Sequence, residues 1–199
     1  SQYNQGNDRQ PEVSIMLEQI FRPLLYLRII HPQKWKTDWA YPIVLAIPYN
    51  LTTIYFKGVS WLSNSEKSLS FILGFLQTLP GFYIAALAVV ASFGRRGMDQ
   101  YISGTTPLSK QIIHGEIVEI KLTRRRFLAM LFSYLTFLSI VMVVMTFIHL
   151  EIKLSTPPSN LALGIFAAFH AIYSILFFQL VVVTLWGVYY MGYRIYEED

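Results

Sequence analysis

Three windows of this chain contain no Asp, Glu, Lys or Arg: 26 residues from Ser68 to Phe93, 24 from Phe127 to Leu150 and 40 from Leu154 to Tyr193. A helix needs only about 20 predominantly apolar residues to cross the hydrocarbon of a bilayer. A soluble helix of that length carries charge on its solvent face. The windows therefore predict transmembrane helices. Composition agrees, since 14% of the residues are charged, against roughly 25% in an average soluble domain.

The expected fold is an all-α membrane protein with four transmembrane helices. Residues 1–37 form a cytoplasmic N-terminal segment. Its opening residues, SQYNQGNDRQPEV, are polar and lack the apolar core of a cleavable signal peptide. Residues 15–30, IMLEQIFRPLLYLRII, are apolar but broken by Glu18, Arg22, Pro23 and Arg28. This predicts an interfacial amphipathic helix on the inner membrane surface, with a docking helix for a partner or a neighbouring subunit as the alternative. HPQKWKTDW follows with the tryptophans and lysines of an interfacial anchor.

The first span, 38–57, is short and holds Pro48, which removes a backbone donor and predicts a kink. An external loop covers 58–68 and the second span 69–93. The cytoplasmic loop 94–126 carries SGTTP, a turn signal, and QIIHGEIVEIKLT, whose alternation allows a short hairpin turning near His114-Gly115. The third span is 127–150 and the second external loop 151–160. The fourth apolar stretch, 161–193, would extend about 50 Å as a helix. Its C-terminal turns should protrude into the cytoplasm, with WGVYYMGY as an aromatic belt and 194–199 as a tail.

Basic residues set the orientation. Of 16 Lys and Arg, 13 lie before the first span, in the 94–126 loop or after the last span. Only Lys57, Lys67 and Lys153 lie on the other side. Positive residues gather on the cytoplasmic side, so both termini are expected there, N-in and C-in. The net charge of +4 has the same origin, and no direct nucleic-acid binding is expected.

Small residues carry the clearest packing signal. Gly81, Ala85, Ala88 and Ser92 fall on one face of the second span. Such stripes let helices approach closely in lipid, so they are the expected packing or oligomerisation surface. Arg95, Arg96, Arg124, Arg125 and Arg126 are candidate contacts to anionic lipid or a partner, although RRR also reads as the stop that orients the third span. Asn50, His170 and Gln179 are candidate intramembrane polar contacts, with interhelical hydrogen bonding favoured over a binding or conduction path.

Chemistry is harder to find. The chain has no cysteine. No phosphate loop, nucleophile elbow or HExxH motif occurs. His149 and His170 lack visible co-ligands for a metal. No catalytic residue, cofactor or metal is expected, and the chain reads as a non-enzyme. Function is expected in assembly and at the cytoplasmic face, as a sensor or a scaffold that holds a soluble partner. An oligomeric channel or pore lined by the kinked first span and Asn50 is the alternative.

Two segments, LPGFYIAALAVVASF (79–93) and LTRRRFLAMLFSYLTFL (122–138), resemble the membrane subunit of the Kiwa anti-phage defence system. The resemblance covers about the central third of the chain and is one of architecture. It implies a homo-oligomer, with a tetramer as the expected number, in the inner membrane. It also implies a cytosolic DNA-binding effector as partner and a response to phage infection. It assigns no site residues.

Overall fold

The computed structural model describes residues 16, 19–31, 33–58, 66–92, 98–101, 108–113, 116–151 and 159–194. The SGTTP turn, Arg95, Arg96 and the His114-Gly115 link lie outside them.

A 3-10 helix spans Arg22–Arg28, and Pro23 sits in its first turn, where its missing donor costs nothing. A π-helical turn, Lys36–Ala40, leads into α1, Tyr41–Lys57. Gly58, at φ 72°, ends α1 by adopting a left-handed conformation that L side chains avoid. Then come α2, Glu66–Ser92, a pair of strands, α3, Arg124–Glu151, and α4, Asn160–Tyr189. Ser159 caps α4, its hydroxyl accepting from the Ala162 amide at 3.2 Å. A second π turn, Tyr190–Arg194, closes the chain's described part.

The strands β1, Leu108–Ile113, and β2, Glu116–Lys121, pair antiparallel with Leu108 opposite Lys121 and Ile113 opposite Glu116. Ile30 bridges to Leu108 on the other edge of β1, exchanging backbone hydrogen bonds of 2.9 and 3.2 Å.

Among the described residues three helical stretches are long and apolar enough to cross a membrane: Leu69–Ser92, Arg124–Glu151 and Asn160–Gly192. The helix α1, at 17 residues, is shorter. The apolar surface lies largely outside. Tyr55, Phe56 and Phe71 are each more than three-quarters exposed, and Leu161, Ile165 and Leu185 are exposed with them. Water-soluble monomers rarely expose contiguous apolar surface beyond a few hundred Å². In lipid, outward apolar surface is the stable arrangement. The chain is a mostly helical membrane protein.

The core follows from spacing. On α2, Leu69, Leu76, Tyr83 and Val90 recur every seven residues and are buried, with Ile72, Leu79 and Ala86 partly buried between them. On α3, Leu128, Leu135 and Met142 recur at the same interval, with Leu131 and Leu138 between. Two such heptad seams mesh as in a left-handed helix pair. Half of the apolar window of α3 is buried, against 11% in those of α2 and α4, so α3 is the central helix. At Gly187 of α4, an added Cβ would lie 2.9 Å from Leu131 Cδ2, which shows how closely α3 and α4 approach. The helix α1 packs on α4.

The segment expected to lie on the membrane surface docks against its own chain. Tyr26 and Ile29 are buried. The Tyr26 ring stacks on Tyr134 of α3 at 4.9 Å, and Phe21 meets Phe137 edge-on at 6.1 Å. Met16, Ile20, Phe21, Leu25 and Leu27 remain exposed, so the segment keeps an apolar outer side.

Candidate functional site

At the end of the bundle that carries Arg124 to Arg126, four polar side chains meet in the interior. Asp38 lies in the first π turn and forms an ion pair with Lys34, one helical turn before it. The Tyr26 hydroxyl donates to Asp38 Oδ1 at 3.0 Å. The Lys34 ammonium sits 4.1 Å above the centre of the Tyr26 ring, a cation–π contact. Gln179 of α4 donates from Nε2 to the Asp38 carbonyl at 2.9 Å. All four residues are at most 4% exposed.

Local sequence explains the arrangement. A π turn shifts the backbone ladder by one residue and widens the helix, and Gln179 supplies a donor to a carbonyl in that turn. Gln179 Oε1 is buried and has no hydrogen-bond partner among the described residues. Burial pulls the Lys34 ammonium below its ordinary value, and the Asp38 charge opposes this. Burial, reinforced by Asp38, pushes the Tyr26 hydroxyl well above the usual phenol range, so it stays a donor. An ion pair taken out of water loses hydration that its attraction repays only in part. The cluster joins three segments: the 3-10 helix, the π turn and α4.

A second set of polar contacts runs along α4, and each serves a different neighbour. Asn50 of α1 donates to Ser174 Oγ at 2.7 Å, and Ser174 donates on to the Ala171 carbonyl. Asn50 also donates to the Ala46 carbonyl at 2.7 Å, not to that of Val44, the carbonyl Pro48 leaves without its usual donor. Tyr173 pairs with Thr146 of α3 at 2.8 Å. Thr184 pairs with Tyr83 of α2 at 2.6 Å. Because Thr146 and Thr184 spend their protons on carbonyls of their own helices, both tyrosines are the donors. A pocket of about 110 Å³ adjoins this set, lined by Tyr49, Ile72, Tyr173, Ser174, Phe177 and Phe178.

The residues singled out in sequence fall in separate places. Asn50 and Gln179 both hydrogen-bond between elements, at different levels of α4. His170 is partly buried and stacks on Tyr49 at 5.9 Å, while His149 stacks on Phe169 at 5.2 Å. Gly81, Ala85, Ala88 and Ser92 line the exposed side of α2, opposite its heptad seam, and Gly74 extends that line by two turns. A Cβ at Gly81 would meet nothing within 4 Å.

Among the arginines, Arg125 grips Asp99 at 2.8 and 3.2 Å and donates to the Val90 and Ala91 carbonyls at the end of α2, both at 3.0 Å. That hydrogen bonding from Arg125 lowers the Asp99 carboxyl below its usual range. Arg124 is buried and Arg126 exposed. Trp186 and Tyr190, from the stretch expected to form an aromatic belt, pack around Phe127, each ring 5.4 Å or less from it.

Sequence reasoning passed over Tyr26, Lys34, Asp38 and Tyr134. The available signal was the Lys34–Asp38 spacing of four. Among the described residues no group of three or more His, Cys, Asp or Glu could hold a metal ion. Comparison with protein-family models, with curated proteins and with solved structures finds no match to this chain.

Proposed function

We propose that the chain is a non-enzymatic, self-associating subunit of a bacterial inner membrane that crosses it four times. Both termini lie on the cytoplasmic side, and the basic face holds a cytosolic protein partner in a response to envelope perturbation, such as phage infection.

The observation that carries this reading is the outward stripe of small residues on α2, which leaves a smooth face where a second helix can approach closely. The fourth span rests on α1. Its inward side is small and polar, with Pro42, Ala46 and Thr53 buried and Asn50 half-buried, while Val44, Ile47, Leu51 and Phe56 point out. That is the reverse of a soluble amphipathic helix and suits a lipid-facing one. The helix runs unbroken from Lys34 to Lys57, about 36 Å at 1.5 Å per residue, enough for a hydrocarbon core of roughly 30 Å. Asp38 then lies at the inner edge of that core, and the folded elements at the basic end form the face a partner meets.

The test has two parts. Mass measurement of the full chain in lipid nanodiscs should give a multimer. A reporter fused after Asp199 should report cytoplasm. A monomer at all protein concentrations, or an external reporter, overturns the reading.

A further inference from the structure

The segment before α1 reaches further along α3 than a helix lying flat on the membrane surface can. Its ring contacts mark the depth. The charge-free window Phe127–Leu150 has its midpoint between Leu138 and Ser139. Phe21 meets Phe137 edge-on at 6.1 Å, and Phe137 is about 2 Å from that midpoint along the helix axis. Tyr26 lies nearer the basic end, its ring 4.9 Å from that of Tyr134 and 6.5 Å from that of Phe127. Ile30 bridges to Leu108, in the strand pair between α2 and α3. The lengths agree. The 3-10 helix of seven residues covers about 14 Å at roughly 2 Å per residue. Phe137 and Phe127 are about 15 Å apart along α3.

We propose that residues 19–28 enter the membrane from the basic end and reach its middle, with their outer side against lipid hydrocarbon. Ile20, Phe21, Leu25 and Leu27 are exposed on the segment. At the depth of Phe137, exposed side chains meet lipid chains or another protein helix, not water. Lipid suits this surface better, because it is bulky and lacks the small residues that let a second helix approach closely. Residues 19–28 are helical throughout, which pairs backbone groups within the segment, as hydrocarbon demands. Arg22 and Arg28 are exposed as well, and their long stems let the guanidinium groups reach back toward lipid phosphate. The proposal needs only that α3 spans the membrane. It holds whichever side the basic end faces, and whether or not the chain self-associates.

The test measures depth in nanodiscs. The chain has no cysteine, so single substitutions Ile20→Cys, Leu25→Cys, Leu27→Cys, Ile140→Cys and Tyr101→Cys, all at exposed positions, each carry one nitroxide label. Collision with oxygen, which concentrates in hydrocarbon, is compared with collision with a water-soluble nickel chelate. Ile140, near the midpoint of α3, is the hydrocarbon reference. Tyr101, in the loop between α2 and α3, is the aqueous one. The oxygen-to-nickel ratio at Ile20 should match that at Ile140. It should fall from Ile20 through Leu25 to Leu27, while staying above that of Tyr101. Equal ratios at Ile20, Leu25 and Leu27 mean a segment lying flat on the surface and overturn the proposal. A nickel-favoured Ile20 does the same. A label at Ile20 shielded from both reagents means that protein covers it, which also overturns the proposal. The labels report depth alone, so a monomeric chain or an external C-terminal reporter leaves this result unaffected.

Discussion

Replacing Gly81 with Leu separates folding from assembly. A Cβ at Gly81 meets nothing within 4 Å, and the heptad seam of α2 lies on the other side of the helix. Within one chain the substitution should be neutral or stabilising, because Leu is favoured over Gly in a helix interior by about 0.8 kcal/mol. Between chains it adds bulk where two helices should touch. Overpacking of a close contact costs roughly 1–3 kcal/mol, which is about a 5- to 150-fold weaker association. Ala85→Leu should act in the same way. Gly164 of α4 also has open space around an added Cβ but lies off the stripe, so Gly164→Leu is the matched control. Oligomer mass against protein concentration in nanodiscs reads the association, and thermal unfolding of the same samples reads the fold. Unchanged oligomer size in both stripe variants refutes the reasoning, as does an equal loss of assembly in Gly164→Leu.

Three further outcomes are expected. Lys34→Met or Asp38→Leu alone should cost about 3–5 kcal/mol because each strands a buried charge, whereas the double substitution should cost only about 1–3 kcal/mol, for the Tyr26 hydroxyl it leaves buried without its acceptor; SDS-induced unfolding measures all three, and additive losses would contradict the ion-pair account. A double-mutant cycle of Asn50→Ala with Ser174→Ala should give a coupling of about 0.6–1.7 kcal/mol, the range for interhelical hydrogen bonds in bilayers; zero coupling means the 2.7 Å contact does not hold α1 to α4. Asp99 has a lowered folded-state pKa through Arg125, so its contribution is present above the unfolded carboxylate value of about 3.9 and is lost as pH falls through the lower folded value. Exchange of the Arg124 amide, which donates to the Gln100 carbonyl at 3.0 Å, should therefore quicken only in that acid window, and Asp99→Asn should remove the dependence.

Much of the fold is legible in the sequence, and the reason is the solvent. Hydrocarbon forbids unpaired backbone groups, so a long uncharged window has one stable form, whatever packs against it. Ser68–Phe93 and Phe127–Leu150 therefore announce α2 and α3 to within three residues, and Leu154–Tyr193 announces α4, which starts six residues inside its window at Asn160. Gly81, Ala85, Ala88 and Ser92 share a face by helical period alone. Asn50 and Gln179 are recognisable as groups that need a partner.

Which partner each one has is a different matter. Asn50 meets Ser174 across 124 residues, and Gln179 meets the Asp38 carbonyl across 141. Such pairings depend on how α1 and α4 are docked, and no local pattern encodes that. The direction of the small-residue stripe is similar: period gives the face, but only the seam of Leu69, Leu76, Tyr83 and Val90 on α3 turns that face outward. The three charge-free windows by themselves determined a helical membrane protein, because burial in lipid acts on each helix alone. Tertiary structure alone decided that Tyr26, Lys34 and Asp38 are interior and that residues 22–31 lie across the bundle, because desolvation and ring stacking act only between segments already brought together.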